Sequence, residues 1–193
     1  MKSKIFAPRF LFLTGAIVMA AISRVLPHPP NFTPIAAMAL FGGACFADKR
    51  FAFIVPLLAM IISDSILELM SGIGFHNTII YVYASFVLIT FVGIYMRNKA
   101  NAGNIILASL TSSILFFLIT NFGVWQVSVP SGASGEFEMG IKGLLNTYTI
   151  AIPFYNNDIF GSFFANTIIG DLFYCGIMFG SLYFAKNRFP VLA

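Results

Sequence analysis

The chain has 193 residues, of which 59% are hydrophobic and only 9% are charged. A soluble domain carries about 25% charged residues, so the composition excludes one and predicts an integral membrane protein. The formal charge of +4 does not mark a nucleic-acid binder, because the basic residues stand in short clusters between apolar runs.

The first residues, Met1-Lys2-Ser3-Lys4 and then the apolar run 10–22, have the outline of a signal peptide. Further apolar runs follow, so 9–26 is expected to be a retained helix. A spanning helix needs about 20 mostly apolar residues. On that measure six spans are predicted, at about 10–26, 33–47, 51–70, 78–96, 104–125 and 159–185. The second is short and rich in Ala and Gly. A partial or interfacial helix is expected over 141–152, stopped by Pro153. The predicted fold is all-α, a polytopic six-helix bundle forming one membrane domain over 1–193. Cys45 and Cys175 lie inside apolar runs and read as small core residues, with no disulfide framework implied.

Between the first two spans lies Arg24-Val-Leu-Pro27-His28-Pro29-Pro30-Asn31-Phe32-Thr33-Pro34, holding four of the nine prolines and one of the two histidines. Proline removes backbone donors and biases its predecessor away from helix, so this is a stiff, non-helical connector. It is either a plain loop or part of a site at the membrane surface, and the polar groups argue for the site.

The positive-inside rule sets the orientation. Lys2, Lys4, Arg9, Lys49, Arg50, Arg97, Lys99, Lys186 and Arg188, nine of the eleven basic residues, fall on one side. That side is expected to be cytoplasmic, with both termini on it; Arg24 and Lys142 are the exceptions. The opposite side carries the connector, the loop 71–77 and the long loop 126–158. It holds both histidines and the one tryptophan.

Ionisable groups inside spans are costly and tend to be functional. Asp64 and Glu68 are four apart, on one helix face, in the outer half of the third span. Arg24 sits near the outer end of the first span, where it either locks two helices by pairing with one of these acids or lies beneath a polar cavity. The two roles are compatible. Asp171, in the last span, is open to an interior site or to a plain helix–helix hydrogen bond. His28 and His76 belong to different outer loops with no metal-ligand spacing. A ligand-facing role suits them better than a structural zinc. Asn121 lies one turn inside Trp125, whose place at the interface is also ordinary belt chemistry. The run 148–158 is rich in aromatic and amide groups, as small-molecule sites are.

Two further motifs bear on function. Gly132-Ala-Ser134-Gly135 matches the nucleophile pattern of intramembrane serine proteases, but no histidine follows it to serve as base. The chain is therefore not expected to be an enzyme, and no cofactor is expected. Ala16-x-x-x-Ala20 and Ala39-x-x-x-Gly43 are small-residue pairs of the kind that admit a close helix.

Taken together, short spans, the Ala16-x-x-x-Ala20 pair and outer polar groups make the chain resemble the substrate-binding S components of energy-coupling-factor (ECF) transporters. The connector, with Asp64, Gly74-Phe75-His76, Tyr81, Asn121-Phe122 and Pro153-Phe154, is similar to the BtuM group of bacterial cobalamin transporters. The resemblance implies an S-component-like bundle in the bacterial inner membrane that captures a small, vitamin-like molecule, a corrinoid being one candidate, and delivers it inward. It implies that His28, Asp64 and Tyr81 line the pocket, and that Ala16 and Ala20 dock on a transmembrane coupling subunit with ATPase partners. Cobalamin-binding members hold the cobalt with a cysteine after the third span. Here His76 stands in that place, and imidazole is a cobalt ligand in its own right. The expected substrate-binding set is Arg24, His28, Asp64, Glu68, His76, Tyr81, Asn121, Trp125 and Asp171. The alternatives are a non-corrinoid substrate on the same scaffold and a non-transport scaffold protein, for which these residues would be silent to mutation.

Overall fold

The computed structural model describes residues 7–128, 138–152 and 163–192. The described residues are all-α, with no strand. Seven helices follow in order: α1 Pro8–Ser23, α2 Ile35–Cys45, α3 Lys49–Ser71, α4 Ile79–Met96, α5 Ala102–Ser128, α6 Ile141–Ala151 and α7 Phe163–Arg188, before a 3₁₀ turn Pro190–Leu192. The pattern of apolar runs explains their bounds. Four of them, α3, α4, α5 and α7, are long and apolar enough to cross a membrane. The chain is thus a multi-pass helical membrane protein. α1 is shorter, at 16 residues, but winds on through Leu26 by i→i−3 hydrogen bonds before the prolines stop it. The part of the last predicted span over 159–162 lies outside the described residues.

α2 departs from a simple span. It has 11 residues, every one buried, which is about 16 Å of helix against a hydrocarbon core of about 30 Å. Its C-terminus lies at the basic end of the bundle, where Arg97 donates to Gly43 O (3.1 Å) and Ala47 O (3.0 Å). Its N-terminus therefore begins roughly halfway through the membrane. The connector fills the remaining depth. An apolar run of 15 residues rich in Ala and Gly looks the same in sequence whether it spans or sits inside a bundle, so the predicted span 33–47 shortens to a central half-helix.

α2 is the hub, packed against α1, α3, α4, α5 and α7. Its glycines make this possible. A Cβ on Gly43 would run into Thr90 O of α4, and one on Gly93 would run into Leu40 O of α2. The two backbones touch at that crossing. On another face, a Cβ on Gly42 would lie 2.6 Å from Pro56 Cγ of α3. Met38, Leu40, Phe41, Met60, Phe86 and Ile89 fill the core around it, all fully buried.

The connector descends along α7. Asn166 Nδ2 donates to Pro30 O (2.9 Å). Gly170 faces the backbone of Phe32 and Thr33, where a Cβ would come within 3.2 Å. The Phe32 ring packs on Phe173 and Tyr174. Irregular backbone at membrane depth is tolerated only when it is covered by protein, and α7 supplies that cover.

Candidate functional site

The end of the bundle opposite the basic loops carries a polar cavity of about 270 Å³. Its floor is an ion pair. Arg24, the residue that caps α1, sends Nη2 to Asp64 Oδ1 of α3 at 2.7 Å. Its Nη1 donates to Ser63 Oγ and lies 3.5 Å from Met60 Sδ. Tyr83 Oη of α4 donates to the other carboxylate oxygen, Asp64 Oδ2, at 2.7 Å. The side chains of Arg24 and Asp64 are only 9% and 2% exposed. Both carboxylate oxygens are thereby satisfied, which is what a charge held at this depth requires.

The rim comes from the loop between α3 and α4. α3 ends on Gly72, whose φ of 65° is left-handed and whose N–H returns to Glu68 O. The Glu68 carboxylate then accepts the Phe75 N–H at 3.0 Å. Gly74 lies so close to α3 that a Cβ there would overlap Asp64 O. These three contacts fold the loop back over the ion pair and set His76 at the cavity. His76 Nδ1 pairs with Thr78 Oγ1 at 3.0 Å, leaving Nε2 without a partner among the described residues. From α5, Asn121 also lines the cavity, its Nδ2 donating to Phe117 O at 2.8 Å.

Of the nine expected binding residues, the fold therefore gathers Arg24, Asp64, His76 and Asn121 at one cavity. Asn31 and Thr33, from the connector expected to form part of a site, join them there, as do Thr78 and Thr120, which carried no sequence signal. Asn31 carries a positive φ of 62°. An Asn after two prolines is a signal for that turn geometry, and it marks the point where the connector bends into the cavity wall. Tyr83, the second partner of Asp64, gave no sequence signal beyond being one aromatic among many.

The other five have neighbours of their own. His28 closes the connector turn, its ring nitrogens against Pro29 O (2.9 Å) and Arg24 O (3.2 Å). Tyr81 donates to Gln126 Oε1 and seats its ring on Gly123, a pairing of α4 with α5. Trp125 Nε1 donates to Glu138 O at 3.2 Å, tying the end of α5 to the segment before α6. Glu68 holds the His76 loop, as above.

Asp171 lies apart, in the middle of the bundle, 2% exposed. Ser113 Oγ donates to its Oδ2 at 2.7 Å, and the carboxylate faces the N–H groups of Ala36 and Ala37. Those are free donors of the α2 N-terminus, so a carboxylate on α7 stands at the positive end of the α2 dipole. Replacing Asp171 with leucine takes away the buried acceptor of Ser113 and the charge facing the α2 N-terminus, a loss of about 1–3 kcal/mol. Thermal unfolding in detergent should show a large loss for Asp171→Leu and well under half of it for Asp171→Asn, which keeps an acceptor oxygen. Equal losses would mean that volume, not polarity, is what Asp171 supplies.

Among the described residues no three His, Cys, Asp or Glu side chains gather as a metal site. Ala16 and Ala20 line a groove of about 470 Å³ between α1 and α7, together with Gly15 and Ile177. In the aromatic run, Tyr148 Oη donates to Leu118 O at 2.8 Å. Its continuation over 153–158, and the 132–135 motif, lie outside the described residues.

These features define a polytopic α-helical membrane protein with a polar cavity at one end. The chain belongs to a family whose model matches residues 4–192 and is described as a family of unknown function (DUF6580). Comparison with curated proteins and with solved structures gives no match.

Proposed function

We propose that this chain is a bacterial inner-membrane uptake protein of the S-component type, which captures a small, vitamin-like molecule in the outer cavity and delivers it inward. The observation that carries this reading is the convergence of Arg24, Asp64, His76 and Asn121, from four separate segments, on one cavity. A scaffold protein has no use for such a gathering beyond the ion pair itself. The ligand meets a neutralised ion pair, an imidazole nitrogen, two amides and three threonines, between walls formed by Ile35, Val82 and Phe116. That mixture of apolar walls and a few aimed polar groups is the usual make-up of a small-molecule site. The Ala16–Ala20 groove is the face on which a coupling subunit, with its ATPases, would dock.

The volume favours a second, narrower reading of the substrate. About 270 Å³ is near the lower end of ligand pockets and suits a single-ring or two-ring compound better than a complete cobalamin. A corrinoid would have to leave most of its body outside the cavity, with His76 reaching its cobalt.

Purified protein incubated with cobalamin or cobinamide, washed and read in the visible range tests both. A stoichiometric corrinoid spectrum that changes in His76→Ala establishes a corrinoid carrier. A colourless protein eliminates that substrate, and mass spectrometry of co-purifying small molecules then addresses the smaller class. A protein that carries no small molecule, and whose Asn121→Ala and His76→Ala variants support uptake and growth like the parent, would sink the transport reading.

A further inference from the structure

We infer that the basic end of the bundle holds a binding site for an anionic phospholipid, with an acyl chain seated between α5 and α7. This site is separate from the outer cavity and does not depend on what that cavity binds. A second cavity of about 750 Å³ opens here. Its walls are Ile105, Ile106, Leu172 and Phe179, with Gly176 and Gly180 on α7. A Cβ on either glycine would meet nothing within 4 Å. The two glycines thus widen the cleft and pack against no neighbouring helix.

The rim is cationic. Arg9, Arg97 and Lys186 line the cavity, and no acidic side chain does. Arg97 and Arg9 lend donors to the C-terminal carbonyls of α2, Arg9 Nη2 reaching Cys45 O at 3.5 Å. A helix C-terminus offsets only about half a charge, so three cations leave a clear positive excess. Arg97 Nε is buried and has no partner. Lys186 forms no ion pair among the described residues. An apolar slot beneath an unpaired cationic rim at a membrane surface complements a phosphodiester headgroup with its chain. Basic pockets between spanning helices on the cytoplasmic side bind such lipids. A docked helix would fill the slot but leave the charge unanswered. Free phosphate would answer the charge but leave the slot empty.

Native mass spectrometry of the full chain in detergent, offered phosphatidylglycerol or phosphatidylcholine, tests the assignment. The parent should retain phosphatidylglycerol in preference. Lys186→Gln should weaken that retention about fivefold, the effect of one cation near an anionic headgroup. Gly180→Leu, which fills the slot, should remove the preference. Neither substitution disturbs a packed neighbour, and unfolding temperatures without added lipid verify that both variants fold. Equal retention of the two lipids, or a phosphatidylglycerol preference unchanged in both variants, overturns the site. So does full competition by inorganic phosphate, which would reveal a bare anion site. A dimer that Gly180→Leu dissociates would identify the slot as a helix-docking face and overturn it too.

Discussion

Replacing Arg24 with alanine should destabilise the bundle by about 3–5 kcal/mol, the cost of leaving a buried carboxylate without its counter-charge. Asp64 is 1% exposed and cannot turn to water. Tyr83 alone would remain to hold it. The reverse change, Asp64→Ala, strands a guanidinium at the same depth and should cost a similar amount. The double variant Arg24→Met, Asp64→Leu removes both charges and fills the space. It should recover most of the stability, because a buried ion pair is worth little against a well-packed apolar pair. A double-mutant cycle by thermal or denaturant unfolding in detergent measures this directly, with contacting residues expected to be strongly non-additive. Additive losses would mean that the two residues act separately. The same double variant divides structure from function, since under the proposed uptake role it should fold yet lose its ligand.

An effect of similar size is expected where α2 crosses α4. Gly43→Val should abolish a monodisperse, folded protein, and Gly93→Val should do the same. The Cβ at each position would overlap backbone of the opposite helix, and backbone has no rotamer to move aside. The helices would have to separate, opening the hub on which five others rest. Losses above about 4 kcal/mol are rare for single substitutions and arise from such mechanisms. Gly176→Ala on α7 is the matched control. Its Cβ meets nothing, so the change should be neutral or slightly stabilising through helix propensity. Size-exclusion profiles and unfolding temperatures of the three variants decide it. A folded Gly43→Val protein would show that the crossing is looser than described.

Much of this fold was legible in the sequence because apolar period and charge placement act locally. The expected helix at 78–96 is Ile79–Met96, and the partial helix at 141–152 is Ile141–Ala151. A pairing of Arg24 with an acid of the third span was one of the two roles its depth suggested, since a lone charge there needs its opposite. Its choice of Asp64 over Glu68 was not legible, because both acids share one helix face. The Gly74 contact decides it, folding the loop so that Glu68 caps Phe75. Convergence of His76 and Asn121 was suggested by their common side of the membrane. Tyr81, Trp125 and His28 share that side but turn to nearby partners, and rotation of a helix by a fraction of a turn is invisible in a chain with this many aromatic residues. The depth of α2 was the least legible feature. It rests on Asp171 and Arg97, which lie far from it in sequence and stand at its two ends.

The dependence of α2 on α7 bears on how the protein is made. α2 leaves the ribosome well before α7, so it cannot settle when it emerges. Its N-terminal donors would lie bare in hydrocarbon, and the connector beyond would carry unpaired backbone to the same depth. α7 answers both, Asp171 facing the α2 N-terminus and Asn166 donating to Pro30 O, and α7 follows α2 only after four intervening helices. The innermost helix therefore finds its place only after α7 has emerged. Until then it must wait at the membrane surface or in the care of the insertion machinery, and the bundle closes around it when α7 arrives.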